Sequence, residues 1–132
     1  MIKVILADDH TVLRDGLCAL LIAAGDMEIV ATAANGQEAV EQSIRHCPDV
    51  VLMDISMPVI NGIEATQQIR AFCPRTQVAI LSIHRTSEYI QRALQAGALG
   101  YLFKESAGIE VVAAIRALHD GKPYLSENNT RR

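Results

Sequence analysis

Aromatic side chains are scarce in this sequence. It has three Tyr, two Phe and no Trp in 132 residues. A core must therefore be built from Ala, Val, Ile and Leu, which suits helices packed on a parallel sheet better than an aromatic-rich barrel. Basic residues are also in deficit, with 12 Lys and Arg against 15 Asp and Glu, a net charge of −3. That balance disfavours a basic nucleic-acid-binding module, although not a small local patch. Cys18, Cys47 and Cys73 cannot all pair among themselves, and no CxxC or Cys/His zinc spacing occurs. Reduced thiols in a cytoplasmic protein are the expectation. The longest uncharged apolar run, Gly16 to Gly25, is too short for the ~20 residues that span a bilayer. Asp8, Asp9 and Asp15 precede it, which is wrong for a signal peptide, and no targeting signal is visible. Half the residues are apolar and a fifth charged, which describes one soluble globular domain at this length.

The chain alternates between two periodicities. Short apolar runs predict strands over Lys3 to Ala7, Glu28 to Ala34, Asp49 to Met53, Thr76 to Ser82 and Leu99 to Phe103. Each is followed by a helical pattern. The first helix runs from Thr11 to Ala24, with Val12, Leu13, Leu17, Leu20 and Leu21 on one face and Gly25 as its stop. Asn35-Gly36-Gln37-Glu38 resembles a capping box and opens a helix to about His46. Gly62 to Phe72 is the third helix, with Ala65, Ile69 and Phe72 inward. Thr86 or Ser87 caps the fourth, which ends at Gly97. Ser106 caps the last, stopped by Gly121 and Pro123. On this last helix the reading turns Ile109, Val112 and Ala113 toward the sheet, and leaves Val111, Ile115 and Leu118 as an exposed patch for a dimer. Five alternating strand and helix units imply an α/β fold: a five-stranded parallel sheet, doubly wound, with helices on both faces.

Open sheets of this kind bind ligands beyond the carboxyl ends of their strands. Asp8 and Asp9 follow the first strand, Asp54 the third, Ser82 ends the fourth and Lys104 follows the fifth. Three carboxylates crowded together repel one another, and a hard cation such as Mg²⁺ relieves the repulsion while leaving room for phosphate oxygens. Lys104 is a compact phosphate partner and Ser82 a hydroxyl donor. Asp54 is the central candidate nucleophile, able to become an aspartyl-phosphate. Plainer readings stand beside these. Asp8 and Asp9 alone could cap a helix. Tyr101 reads equally as a core or edge residue. His10 and His84 flank the crevice either as modulators of phosphoryl chemistry and metal access or as solvated loop residues.

Five pieces taken together resemble the receiver domains of bacterial two-component response regulators: Ala7-Asp8-Asp9-His10, Leu52-Met53-Asp54-Ile55-Ser56-Met57-Pro58, Asn61-Gly62, Ile80-Leu81-Ser82 and Gly100-Tyr101-Leu102-Phe103-Lys104. Arg14-Asp15-Gly16-Leu17, Leu81-Ser82-Ile83-His84 and Ala96-Gly97-Ala98-Leu99-Gly100-Tyr101-Leu102 are similar to the NarL or FixJ branch, which carries a LuxR-type DNA-binding domain. The resemblance implies a flavodoxin-like (CheY-like) fold with strand order 2-1-3-4-5. It implies Asp54 as phosphoacceptor, Asp9 as a direct Mg²⁺ ligand, Asp8 acting mainly through water, and the backbone carbonyl of Ser56 as a further ligand. Lys104 and Ser82 would contact the phosphoryl oxygens, and Tyr101 would be a switch aromatic that turns inward as Ser82 moves. A sensor histidine kinase would supply the phosphoryl group. Many receivers have Pro after the Lys, often with a cis peptide, where this chain has Glu105; the isomer is left open.

The implied function is a phosphorylation-dependent switch rather than an enzyme, dimerising on activation, with residues 1–121 as receiver and 122–132 as the start of a linker. DNA would be touched only through a C-terminal helix-turn-helix domain absent from this chain, and no membrane is involved. A stand-alone receiver that docks on proteins is one rival. A haloacid-dehalogenase-like phosphatase is another, but its nucleophile follows the first strand in an Asp-x-Asp pattern, where this chain has an adjacent pair.

Overall fold

The computed structural model describes residues 1–126. Strands and helices alternate: β1 Ile2–Ala7, α1 Thr11–Ala23, β2 Met27–Ala33, α2 Gly36–His46, β3 Val50–Asp54, α3 Gly62–Phe72, β4 Gln77–Ser82, α4 Ser87–Gln95, β5 Gly100–Phe103, α5 Ala107–His119 and β6 Tyr124–Leu125. The sheet is parallel throughout, in the order β2-β1-β3-β4-β5-β6. The first five strands follow the expected order. β6 was not expected. The sequence predicts a linker from Lys122, yet Tyr124 and Leu125 pair with Gly100 and Tyr101 at the sheet edge. The rest of that segment, 127–132, lies outside the described residues.

Alternation along each central strand feeds two cores. Val4, Leu6, Val50, Leu52, Ala79 and Leu81 face α1 and α5, whereas Ile5, Ala7, Val51, Met53, Val78 and Ile80 face α2, α3 and α4. Burial on both sides explains why these strands read as continuous apolar runs. The cap of α2 follows the sequence reading: the Asn35 side chain accepts from the Glu38 N–H at 2.8 Å, and the Glu38 carboxylate accepts from the Ala34 N–H at 2.9 Å.

Helix faces depart from expectation in three places. On α5, Val111, Ile115 and Leu118 are fully buried with Ala107 and Ala114, while Ile109 is 89 % exposed. The expected dimer patch is therefore the core-facing stripe. The reason is that Ala107 and Ala114 let the helix approach the sheet closely and continue the stripe at helical spacing. On α1, Leu17 and Leu21 are buried but Val12 and Leu20 are exposed, because Val12 lies nearly opposite that pair around the helix and Leu20 at the stripe's margin. On α3, Ala65, Thr66, Ile69 and, just past its end, Cys73 are buried, and Phe72 is left exposed at the stripe's margin.

Candidate functional site

Register assembles the site. Ala7 pairs with Met53, Asp54 with Leu81, and Ser82 with Phe103. The residues at or just after these positions, Asp8, Asp54, Ser82 and Lys104, thus share one end of the sheet. Gly62 completes the floor. Its N–H donates to the Ile55 carbonyl at 3.0 Å, and a Cβ there would meet the Asp54 carbonyl oxygen at 2.4 Å. Only glycine lets α3 start this close to the Asp54 backbone.

Asp8 and Asp54 are fully buried, whereas Asp9 is exposed. Ligand atoms of Asp8, Asp9, His10 and Asp54 all lie within 4.8 Å of one another. The ammonium of Lys104 stands 3.0 Å from Asp54 Oδ2 and 3.9 Å from Asp8 Oδ2. Neither buried oxygen has a hydrogen-bond partner among the described residues, so the nearby Lys104 ammonium is their principal compensation. One cation against three carboxylates leaves negative charge in excess. Oxygen ligands with unfilled lone pairs are the donor set that a hard divalent cation takes. The His10 ring sits among them, its Nδ1 3.1 Å from Asp8, 3.2 Å from Asp9 and 3.9 Å from Asp54. Burial pushes the Asp54 carboxyl above its ordinary range. The Lys104 ammonium and the Ser56 N–H, 3.1 Å from Oδ1, pull it back, and the Asp8 charge adds to the rise.

A cavity of about 610 Å³ opens over the carboxylates, lined by His10, Val12, Leu13, Asp54, Ser56, Ile83 and Lys104. Ser82 is buried, and its hydroxyl accepts from the His84 N–H at 2.9 Å. Tyr101 is also buried and donates to the His84 carbonyl at 2.8 Å. The Tyr101 ring therefore lies inward, beside β4 and the segment that follows it. Both residues grip one peptide segment, and the His84 ring stacks on Tyr89 at 3.9 Å. The described residues contain no cis peptide, so the Lys104–Glu105 bond is trans.

Two supporting residues escaped the sequence reading. Arg14 donates to the Asp8 carbonyl at 2.9 Å and steadies the acidic turn. Arg85 pairs with Glu105 and lies over the Phe103 ring at 4.2 Å, joining the loop after β4 to the end of β5. An Arg four residues after His10 on the first helix was the available signal for Arg14; Arg85 had none.

Fold and crevice together define a doubly wound α/β module of the flavodoxin type with an acidic crevice at the carboxyl end of its sheet. The chain belongs to the response regulator receiver domain family, whose profile matches residues 4–116. It is 43 % identical over 125 residues to the transcriptional regulatory protein LnrK of Bacillus subtilis, covering 95 % of this chain and 57 % of that protein. It is 40 % identical over 124 residues to the oxygen regulatory protein NreC of Staphylococcus epidermidis, covering 93 % and 57 %. The chain thus spans little more than half the length of these relatives. Among solved structures, a LuxR-family two-component response regulator from Aurantimonas superposes with a TM-score of 0.92 at 34 % identity, covering 99 % of this chain and 94 % of that one. The receiver domain of a NarL regulator from Mycobacterium tuberculosis superposes at 0.88 with 33 % identity, covering 92 % and 98 %.

Proposed function

We propose that this chain is the switch of a two-component transcriptional regulator, taking a phosphoryl group onto Asp54 from the phosphohistidine of a sensor histidine kinase. The observation that carries the reading is Asp54 itself: a buried carboxylate, paired with Lys104 at 3.0 Å and grouped with Asp8 and Asp9. An Asp54 oxygen attacks phosphorus, the P–N bond breaks, and the departing imidazole takes a proton. Lys104 neutralises charge on the transferred group. Asp9, Asp54 and the Ser56 carbonyl would hold Mg²⁺, with Asp8 behind them. That ion would supply charge neutralisation at the phosphoryl oxygens.

The read-out runs through His84. When the Ser82 hydroxyl turns to a phosphoryl oxygen, it leaves the His84 N–H, and the segment that Tyr101 also holds is free to move. A local charge event thereby biases a two-state element. The relatives' names, a transcriptional and an oxygen regulatory protein, and the LuxR-family structures support a C-terminal helix-turn-helix output in the cytoplasm. Among the described residues no helix is long and apolar enough to cross a membrane. The chain is a switch and not an enzyme. Homodimerisation on activation belongs to the same reading, through a surface other than Val111, Ile115 and Leu118.

Incubation with acetyl phosphate and Mg²⁺ should add one phosphoryl group, and Asp54→Asn should abolish it. Equal labelling of the variant at another residue would sink the assignment. Sustained multiple turnover of a phosphomonoester would favour a phosphatase instead.

A further inference from the structure

At the opposite end of the sheet two thiols converge. Cys47 is the C-cap of α2 and Cys73 the C-cap of α3. Each is followed by a proline and then by a strand, and those strands, β3 and β4, are neighbours. The repeated helix-Cys-Pro-strand arrangement sets the two cysteines side by side, with Sγ atoms 3.0 Å apart. A disulfide is ~2.05 Å long, so bonding needs only about 1 Å of closure. Cys47 is exposed and holds a left-handed backbone, φ +39°, while Cys73 is buried. A cavity of about 430 Å³ runs alongside, lined by both cysteines, Phe72 and Arg75 among others. It offers a small molecule a path to the pair, with the Asp49 carboxylate and the Arg75 guanidinium as the charges beside it.

We propose that Cys47 and Cys73 form a reversible dithiol–disulfide site, oxidised by exchange with a small-molecule disulfide. The Cys47 thiolate attacks one sulfur of the reagent, whose S–S bond breaks and releases one small thiolate. The Cys73 thiolate then attacks Cys47 Sγ and expels the second. Two electrons pass from the pair to the reagent, and the two thiol protons end on the released thiolates. The bond would staple α2 to α3 and close a loop around the β3 segment that carries Asp54. Burial and the neighbouring Cys47 push the Cys73 thiol up to about 11. In the mixed disulfide Cys47 no longer carries a thiol and only the burial remains, which still makes Cys73 the slower attacker.

The test is equilibration of the full chain in glutathione redox buffers, followed by alkylation and peptide mass spectrometry. Oxidising buffers should give a monomer lacking two hydrogens, with Cys47 and Cys73 joined and Cys18 still alkylatable, reverting on reduction. The oxidised form should melt higher, by on the order of 10 °C. Cys47→Ser, at an exposed position, should abolish both changes. The proposal is overturned if Cys47 stops at a stable glutathione adduct, if the link joins two chains, or if the pair stays reduced where Cys18 reacts.

Discussion

Tyr101 carries a hydroxyl into the core and donates it to the His84 carbonyl, while burial pushes its own phenol above the ordinary value. Tyr101→Phe keeps the ring and strands that carbonyl. It should cost about 1–2 kcal/mol in urea denaturation, yet leave the extent of Asp54 phosphorylation unchanged. A second residue-scale expectation concerns pH. Arg116 donates to Asp26 at 2.9 and 3.1 Å and holds its carboxyl below the usual range. A native value below the unfolded one gives stability that is present above the unfolded value and lost as pH falls through the native one. Asp26→Asn should therefore lower the urea midpoint slightly at neutral pH, and the gap to wild type should close on acidification. A gap that widens in acid would contradict the pairing. Asp8, Asp54 and Lys104 were legible in the sequence because each interrupts or follows an apolar run, where a buried charge is costly without a purpose. The bond from Tyr101 to His84 was not, since a strand tyrosine beside Leu102 and Phe103 also satisfies a purely structural pattern.

Among the helices, α5 separates pattern from packing. Its apolar residues surround most of the helix, so periodicity alone admits more than one inward stripe. The observed one, Ala107, Val111, Ala114, Ile115 and Leu118, includes two alanines, which weigh little in any apolar count. Small side chains mark the buried face by what they permit rather than by the area they cover. Ile115→Ala should lower stability by about 2–5 kcal/mol, and Ile109→Ser should stay within about 0.5 kcal/mol, both measured by denaturant titration. The reverse ranking would restore the stripe expected from the sequence. Strand identities were easier to read because a sheet covered on both faces leaves no polar alternation to confuse them. β6 was missed because two residues are too few to show a period.

For the whole molecule, the carboxylate excess links folding to cation binding. A ligand that binds only the native state stabilises it, by about 2.7 kcal/mol at a hundred times its dissociation constant. Mg²⁺ should therefore raise the melting temperature of the wild-type chain, and much less that of Asp9→Asn. An equal rise in both would show that the acidic cluster is not where the ion acts.

The parallel register has a consequence for how this gene can vary in length. Asp8, Asp54, Ser82 and Lys104 meet because neighbouring strands are aligned residue for residue. Successive residues of a strand point to opposite faces, so deleting one codon within β3 or β4 turns every later side chain of that strand over. Substitutions at these positions can be graded and conservative, but a single-codon deletion has no mild form. Length changes should survive in the loops away from the crevice and be purged from the central strands.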